Sequence, residues 1–470
     1  MSDAALAPQA NDQMPAIVRV GKLTESQKDI WTFQSLAAQL PIQQFAYRLS
    51  IEGDLDAEAL ASALAAVVAV HEPLRTIYPL RAGRPHAAVL EARASSQGLE
   101  ICEMSDAVSA ERLFTEIATA PYDLAGAPPM RAVLMRRGHR FHELVLGLHH
   151  LCADAWTLKI LGRQISHAYA AIRRRENPAL TKPSMQAIDY AEWEAAWLRS
   201  AQCRRALAWW EQNLGEGDLA AIARTRYRAA RLTIPYLRTA VLNDIVPSKL
   251  AAALDVRARL SRVPLFAVVL AALKFGLLKL TRCTDVTLAT VTACRRMQNL
   301  TTAGAFRNIV VMRSRLDAPR TVQDVVSLVA KATFAALEHQ WVPYRLVRRA
   351  LKSTLHFDFV DLLRITFEWS DSQVDLDVQL EGTTLVQELS WDRYHYFGAG
   401  RQATVGRRWV LRSAADLQVL GAKLGTKGIE LRYLYKSDLL DRDFVVALRA
   451  MTWRFLRAFA HKPHARLQTL

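Results

Sequence analysis

The sequence is poor in cysteine and lacks the cysteine spacings of a disulfide framework or a structural zinc site. The 470 residues contain five cysteines, none of which forms a Cys-x-x-Cys pair: Cys102, Cys152, Cys203, Cys283 and Cys294. An odd number of irregularly spaced cysteines argues against a disulfide-stapled scaffold and favours a reducing compartment. We therefore expect a cytoplasmic protein whose structure depends on neither disulfides nor zinc.

Long uncharged apolar runs are also missing. The most apolar stretch, VPLFAVVLAALKFGLLKL (263–280), contains Lys274 and is followed by Arg282. Because a membrane-spanning helix needs about 20 largely uncharged apolar residues, this stretch predicts a buried core helix. The start, MSDAALAPQANDQMP, lacks the basic and apolar regions of a secretion signal. We expect residues 1–20 to form a disordered leader, and we find no low-complexity tract.

Acidic side chains are fewer than basic ones. Asp and Glu total 45 against 61 Lys and Arg, which gives a formal net charge of +16. A charge of this sign favours acidic partners, such as nucleic acid, anionic lipid or an acidic protein, without choosing among them. No recognised nucleic-acid-binding motif accompanies it, so we do not expect nucleic acid to be the partner.

Length and patterning predict two lobes of mixed helix and strand. Single hydrophobic cores stop growing near about 250–300 residues, and this chain is longer. Strand patterns such as FAYRLSIEGDLD (45–56) and GIELRYLYK (428–436) occur in both halves, interspersed with helical patterns. The Pro-containing stretch NPALTKPS (177–184) is typical of a linker. We therefore expect an α/β (α+β) fold with an N-terminal lobe over 21–178 and a C-terminal lobe over 179–470.

The stretch ELVLGLHHLCADAWTLKIL (143–161) carries the densest set of reactive side chains. Because strand side chains alternate between faces, His149 and His150 point in opposite directions, and Asp154 stands where a helix N-cap belongs. The residues alone leave four interpretations open. They are incidental polarity at a strand end, a metal site, a Cys152 nucleophile, and one histidine acting as a general base. Opposite-facing histidines chelate poorly, and no glycine turn for an oxyanion hole surrounds Cys152.

A series of motifs resembles the condensation domains of nonribosomal peptide synthetases and the wider carrier- and CoA-dependent acyltransferase superfamily. HHLCADAW (149–156) resembles the HHxxxDG motif, and LTESQKDIW (23–31) resembles the opening motif, in which Thr24 and Gln27 also predict a helix capping box. Further similar segments follow in family order over about residues 22–468: YDLAGAPPMRAVLMR (122–136), DYAEWEAAWL (189–198), WWEQNLG (209–215), GAFRNIVVMR (304–313), HQWVPYRLVRRAL (339–351) and GIELRYLYKSDLLD (428–441).

The resemblance implies a fold and a role for each motif residue. It implies two similar chloramphenicol-acetyltransferase-like lobes in a V shape around a central tunnel. The second histidine, His150, would project into that tunnel, while His149 and Asp154 would hold the loop. Asp154 would pair with Arg295, or with Arg296 if the register differs by one.

The resemblance also implies the neighbours of the motif and two departures from it. Trp156 follows the motif, and Gly304 and Asn308 belong to the family's Gly-x-Phe-x-Asn turn. The glycine that follows Asp in the family is Ala155 here, which adds one methyl group and restricts the backbone. The stretch 391–409 matches nothing in the family, and is either a lid or specificity loop or a variable surface insertion.

The activity implied is attack by an acceptor amine on an acyl or aminoacyl thioester in secondary metabolite biosynthesis. The thioester would arrive on the phosphopantetheine arm of an acyl or peptidyl carrier protein, or on CoA, with no bound cofactor or metal. His150 would accept a proton or position the nucleophile. Acidic carrier proteins would suit the net charge of +16, and we expect a free-standing monomer without a membrane span. Alternatives are an ester-forming O-acyltransferase, an epimerase, and a non-catalytic carrier-binding scaffold.

Overall fold

A computed structural model describes residues 15–36, 43–92, 98–215, 239–354, 364–370, 378–385, 395–397, 402–404, 408–410 and 415–470. The helices are α1 (Glu25–Leu36), α2 (Ala57–Val70), α3 (Ala107–Thr119), α4 (Ala155–Arg173), α5 (Ala187–Trp197), α6 (Ala201–Gly215), α7 (Ser248–Leu260), α8 (Leu265–Thr281), α9 (Val322–Glu338), α10 (Tyr344–Thr354) and α11 (Arg442–His461). The strands are β1 (Ile17–Gly21), β2 (Gln44–Gly53), β3 (Thr76–Ile77), β4 (Leu80–Arg81), β5 (Arg84–Pro85), β6 (Ala87–Leu90), β7 (Glu100–Glu103), β8 (Met130–Arg137), β9 (Phe141–His149), β10 (Thr239–Pro247), β11 (Asp285–Thr292), β12 (Asn308–Arg315), β13 (Ile365–Ser370), β14 (Thr383–Leu385), β15 (His395–Phe397), β16 (Gln402–Thr404), β17 (Arg408–Val410), β18 (Leu417–Lys423) and β19 (Gly428–Lys436).

The N-terminal lobe is built on a sheet with the strand order β14-β2-β9-β8-β7. Helices α2 and α4 cover one face of this sheet and α3 covers the other, each burying an apolar stripe. Strand β9 lies in the middle and is buried along nearly its whole length. The sheet therefore delivers the histidine pair at the end of β9 into the interior of the protein.

The C-terminal lobe is built on a six-stranded sheet with the order β10-β19-β18-β13-β11-β12. Strand β13 runs parallel to both β11 and β18, and the other pairings are antiparallel. Helices α7, α8 and α11 pack on one face, and residues 265–277 of α8 are buried. The predicted core helix is therefore confirmed. Within the described ranges no single helix is long and apolar enough to cross a membrane, although α7 and α8 pass together as a pair bent by 104°.

Two features of the chain path differ from the linear division into lobes. Strands β14 and β15, which come late in the sequence, pair with β2 and so extend the N-terminal sheet. Strand β1 pairs with β6 from Ile17 onward, so the segment expected as a leader is already hydrogen-bonded over its last residues. Residues 1–14 lie outside the described residues.

The predicted helix over 187–215 is two helices, α5 and α6. Residues 198–200 form a turn between them, where the Ser200 hydroxyl accepts a hydrogen bond from the Cys203 amide at 3.1 Å. A serine that caps a new helix competes with continuation of the old one, which explains the break. Of the stretch 391–409, the structure describes the backbone of β15, β16 and part of β17, and the remainder lies outside the described residues.

Candidate active site

The two histidines contact different parts of the protein. His149 lies edge-on to Tyr122, with 5.9 Å between ring centroids, whereas His150 lies against Phe45 at 4.9 Å. Both side chains are buried, with residue exposures of 1% and 2%. The alternation of strand side chains thus separates their environments, and only His150 lines the cavity between the lobes.

His149 is held by the loop and by α1. Its Nδ1 accepts a hydrogen bond from the Leu151 amide at 3.1 Å, and its Nε2 lies 3.4 Å from Gln34 Oε1. Burial and the nearby Arg307 lower the pKa of His149 to about 3. The ring is therefore neutral at pH 7, and its hydrogen bonds organise the loop that follows β9.

The opening motif of the chain supports the same loop from another side. Thr24 and Gln27 form the predicted capping box at the start of α1, with both hydrogen bonds at 3.0 Å. Gln27 Nε2 also donates to the Leu151 carbonyl at 2.9 Å, and the Tyr78 hydroxyl donates to the same carbonyl at 3.1 Å. A motif distant in sequence thus fixes the backbone next to His150.

Asp154 caps α4 and pairs with an arginine of the other lobe. Its Oδ1 accepts hydrogen bonds from the Thr157 amide and hydroxyl, both at 2.8 Å. Arg295 Nη2 lies 2.7 and 2.9 Å from the two carboxylate oxygens. The side chains of this pair are only 4% and 7% exposed. Because the pair is buried and charged on both sides, removing either partner leaves an uncompensated charge.

Arg295 connects α4 to the loop of the C-terminal lobe that leads into β12. Its Nη1 donates to the carbonyls of Asn299, at 2.8 Å, and Thr302, and its guanidinium stacks on Phe306 at 4.4 Å from the ring centroid. Arg296 instead lies among tryptophan rings, 3.9 Å from the centroid of Trp341. Of the two arginines considered, Arg295 is therefore the one that contacts Asp154.

Gly304 and Asn308 shape the turn on the C-terminal side. Gly304 has φ of +148°, and a Cβ at that position would come within 2.9 Å of the Phe306 ring, so the turn requires glycine. Asn308 donates to the carbonyls of Gln340 and Val342, both at 2.7 Å, and accepts from the Tyr344 amide at 2.9 Å. It thereby attaches the start of α10 to β12.

A cavity of about 280 Å³ lies between the lobes. Ala155 and Trp156 contribute to its N-terminal wall, and Trp156 Nε1 bridges the lobes by donating to the Leu300 carbonyl at 2.8 Å. The walls are mainly apolar, with a few polar groups. The complete lining consists of Phe45, Ala46, His150, Asp154, Ala155, Trp156, Leu158, Val291, Thr292, Ala293, Arg307, Glu368, Trp369, Ser370, Leu420 and Gly421.

His150 is suited to accept a proton in this cavity. Its Nδ1 lies 3.2 Å from the Ala153 carbonyl oxygen, and donation to that oxygen fixes the tautomer with the basic lone pair on Nε2. Burial, followed by the positive charge of Arg307, holds the pKa of His150 well below its usual value. The imidazole is therefore neutral at pH 7, which is the form that a general base needs.

Cys152 is packed inside the loop. It is fully buried, with its Sγ 3.1 Å from the His149 carbonyl oxygen and 3.2 Å from that of Pro129. Burial raises the pKa of its thiol to about 12, whereas a nucleophilic cysteine needs a lowered pKa. Among the described residues, no three His, Cys, Asp or Glu side chains are grouped to hold a metal ion.

Sequence reasoning missed two charged residues of the cavity, Arg307 and Glu368. Arg307 lies in the Gly-x-Phe-x-Asn turn and its Nη2 donates to Gln43 Oε1 at 2.8 Å. Glu368 lies on β13, where Ile365 and Phe367 face the core and Glu368 lines the cavity. A lone carboxylate within the strand pattern LLRITFEWS was the available signal for it.

The chain matches one protein family over most of its length. Residues 19–470 match the family described as Condensation domain. A linear gramicidin synthase of Brevibacillus parabrevis is 27% identical over 383 residues, which cover 79% of this chain and 8% of that protein. The isonitrile lipopeptide synthase of Mycobacterium tuberculosis (strain ATCC 25618 / H37Rv) is 30% identical over 385 residues, which cover 78% of this chain and 15% of that protein. The chain thus spans a small part of the length of these relatives.

Solved structures share the whole architecture. The X-domain from teicoplanin biosynthesis matches with a TM-score of 0.77 and 21% identity, covering 98% of both chains, and another structure shows that X-domain in complex with OxyB. At this identity the likeness establishes the two-lobed fold alone. The family match covers nearly the whole chain and establishes more. The chain belongs to the condensation domain family, a family of acyltransferases of nonribosomal peptide and natural-product biosynthesis.

Proposed function

We propose that this chain joins an acyl or aminoacyl thioester, carried on phosphopantetheine, to an acceptor amine. The observation that supports the proposal best is the neutral imidazole of His150 in the wall of the cavity between the lobes. Both lobes hold the loop that carries it. The acceptor nitrogen would attack the thioester carbonyl, so a C–N bond forms and the C–S bond breaks.

His150 Nε2 takes a proton from the attacking nitrogen, and that proton leaves with the thiolate as a thiol. General-base assistance of this kind accelerates a reaction by about 10²–10⁴-fold. Alignment of donor and acceptor in one cavity contributes further, because it converts an encounter of two molecules into a reaction within one complex. The mechanism needs no acyl-enzyme, which agrees with the buried, protonated thiol of Cys152.

The donor is proposed to arrive on an acidic carrier protein that docks beside α1. A hollow of about 640 Å³, here called the basic hollow, lies between α1, β5 and α10. It is lined by Lys22, Leu23, Glu25, Lys28, Trp31, Thr32, Arg84, Pro85, His86, Arg345, Leu346 and Arg349. Three of these cations, Lys22, Arg84 and Arg349, are exposed. Exposed cations on one surface steer an acidic partner toward it.

Charge reversal tests the carrier surface. A triple variant, Lys22→Glu, Arg84→Glu and Arg349→Glu, is expected to weaken binding of an acyl carrier protein and to reduce the salt dependence of that binding. The control reverses three exposed cations elsewhere, Lys182, Arg259 and Lys427. Equal effects of the two triple variants would show that only the net charge matters, and would contradict docking at the basic hollow.

A second candidate function is recruitment without catalysis. It is favoured by Ala155, whose methyl group lines the cavity where the family motif has glycine, and by the fold shared with an X-domain that forms a complex with OxyB. A scaffold would bind carrier proteins and yield no product with any donor. The enzyme proposal predicts the opposite.

The test is product formation from a panel of acyl thioesters on CoA and carrier proteins, offered with amine acceptors and analysed by mass spectrometry. Wild type is expected to form amides, and His150→Gln is expected to lose this activity while retaining its fold. His142→Gln serves as the control, since His142 is also buried but lies outside the cavity. Carrier binding without product from wild type would favour the scaffold. Equal product from wild type and His150→Gln would refute the assigned role.

A further inference from the structure

Glu368 places a carboxyl group in the wall of the cavity that contains His150. Strand β13 forms the opposite side of this cavity, contributed by the C-terminal lobe. Within β13 the apolar residues Ile365 and Phe367 are buried in the lobe core. The alternation of strand side chains therefore directs Glu368 away from that core and toward the substrate space.

The carboxyl group is held in place by an amide. Gln418, on the neighbouring parallel strand β18, donates from Nε2 to Glu368 Oε1 at 2.8 Å. This bond orients the carboxylate without neutralising it, because an amide carries no net charge. Burial raises the pKa of Glu368, and the positive charge of Arg307 acts in the opposite direction with a smaller effect.

The other charged groups of the cavity are already engaged with the protein. Asp154 is paired with Arg295, and Arg307 donates to Gln43 at 2.8 Å. His150 is neutral, because its pKa lies well below the usual value. A carboxylate in a mainly apolar cavity gains strongly from a cation that enters with the substrate. Of the acceptors that the reaction admits, an amine arrives as a cation and an alcohol does not.

We propose that Glu368 binds the acceptor through its ammonium group, so that the acceptor of this chain is a primary amine. The inference rests on the proposed function and adds to it the class of acceptor and the residue that selects it. It favours amide formation over the ester-forming alternative.

The same contact supplies a step that the reaction needs. An ammonium ion has no lone pair, so it must lose one proton before it can attack. Glu368 takes this proton, which converts ammonium and carboxylate into amine and carboxylic acid. The amine then attacks the thioester, the second N–H proton passes to His150 Nε2, and the thiolate leaves and is protonated to a thiol. The first proton returns from Glu368 to solvent, so the sum is ammonium plus thioester to amide, thiol and one proton.

This division of labour follows from the environments of the two groups. His150 has a lowered pKa and is therefore a weak acceptor for a proton on a free ammonium ion. Glu368 has a raised pKa and is a better match for that first proton. Once the nitrogen has begun to bond to carbon, its remaining proton becomes acidic enough for His150.

The experiment compares hexylamine with hexanol, which have the same chain and differ in the cationic head group. Binding of each compound is measured by calorimetry at pH 7, for wild type, Glu368→Gln and Glu368→Asp. Glu368→Gln is expected to weaken hexylamine binding by about 10- to 100-fold, the effect of losing one charged hydrogen bond, and to leave hexanol binding unchanged. Glu368→Asp should restore part of the affinity. Glu381→Gln is the control, because Glu381 is exposed and lies outside the cavity.

Equal weakening of both compounds in Glu368→Gln would overturn the inference, since it would show a merely structural role. So would unchanged binding of hexylamine. Turnover separates this inference from the proposed function. If wild type acylates hexylamine from octanoyl-CoA in a His150-dependent manner and Glu368→Gln does so equally well, the inference fails and the function stands. If hexylamine binds through Glu368 but no condition gives product, recognition stands and the proposed function fails.

Discussion

Replacing Asp154 by asparagine tests the link between the two lobes. Asparagine keeps the size of the side chain and one oxygen that can cap α4, but it cannot neutralise Arg295. The two side chains are 7% and 4% exposed, and both carboxylate oxygens lie within 2.9 Å of Arg295 Nη2. Leaving one member of such a buried pair without its partner costs about 3–5 kcal/mol. Asp154→Ala loses the cap as well, which adds about 1 kcal/mol.

The assay is urea unfolding followed by circular dichroism, with Asp56 as the matched position. Asp56 caps α2 in the same way, accepting from the Ala59 amide at 2.9 Å, and takes part in no comparable pair with arginine in the described structure. Asp56→Asn is therefore expected to change the free energy of unfolding by only a few tenths of a kcal/mol, a surface-like effect. If Asp154→Asn were no more destabilising than Asp56→Asn, the pair would not hold the lobes as described.

The remaining predictions concern the cavity, the loop and the core of the C-terminal lobe. Ala155→Gly removes a methyl group from the cavity wall and should broaden acceptance of bulky acyl donors in a turnover panel; unchanged selectivity would contradict this. Cys152→Ala should retain turnover, and Cys152 should resist iodoacetamide in the folded protein, because burial raises the pKa of its thiol to about 12; rapid alkylation would contradict the packing. Burial lowers the pKa of Lys274 to about 7, so the unfolded chain binds more protons above that pH and stability rises between pH 7 and 10 by up to about 4 kcal/mol. Lys274→Met should flatten this rise in urea unfolding at several pH values, and an equal rise in the variant would refute it.

Local patterning was sufficient for the elements whose sequence and environment agree. Strand β19 occupies the predicted residues 428–436, and α8 is the predicted core helix despite Lys274. That lysine is accommodated because its Nζ donates to the Met312 carbonyl and the Ser314 hydroxyl, both at 2.8 Å. The capping box at Thr24 follows from three residues of sequence, so it too was within reach.

Features that depend on distant partners were not within reach. The pairing of β14 with β2 joins segments from opposite ends of the chain, and no local pattern encodes which edge a short strand will extend. Glu368 reads as one polar residue in an apolar strand, and only the packing of the two lobes brings it into the same cavity as His150. The roles of His150, His149, Asp154 and Arg295 remain predictions about chemistry, for which the structure supplies the geometry.

The measurement that tests the central claim most directly is the single-turnover rate of amide formation by His150→Gln. Octanoyl-CoA and hexylamine are mixed with excess enzyme, and the product is quantified over time for wild type and the variant. The account predicts a rate lower by about 10²–10⁴-fold, with unchanged binding of hexylamine and an unchanged melting temperature. A variant that forms the amide at the wild-type rate would contradict the assignment of His150 as the group that accepts the proton.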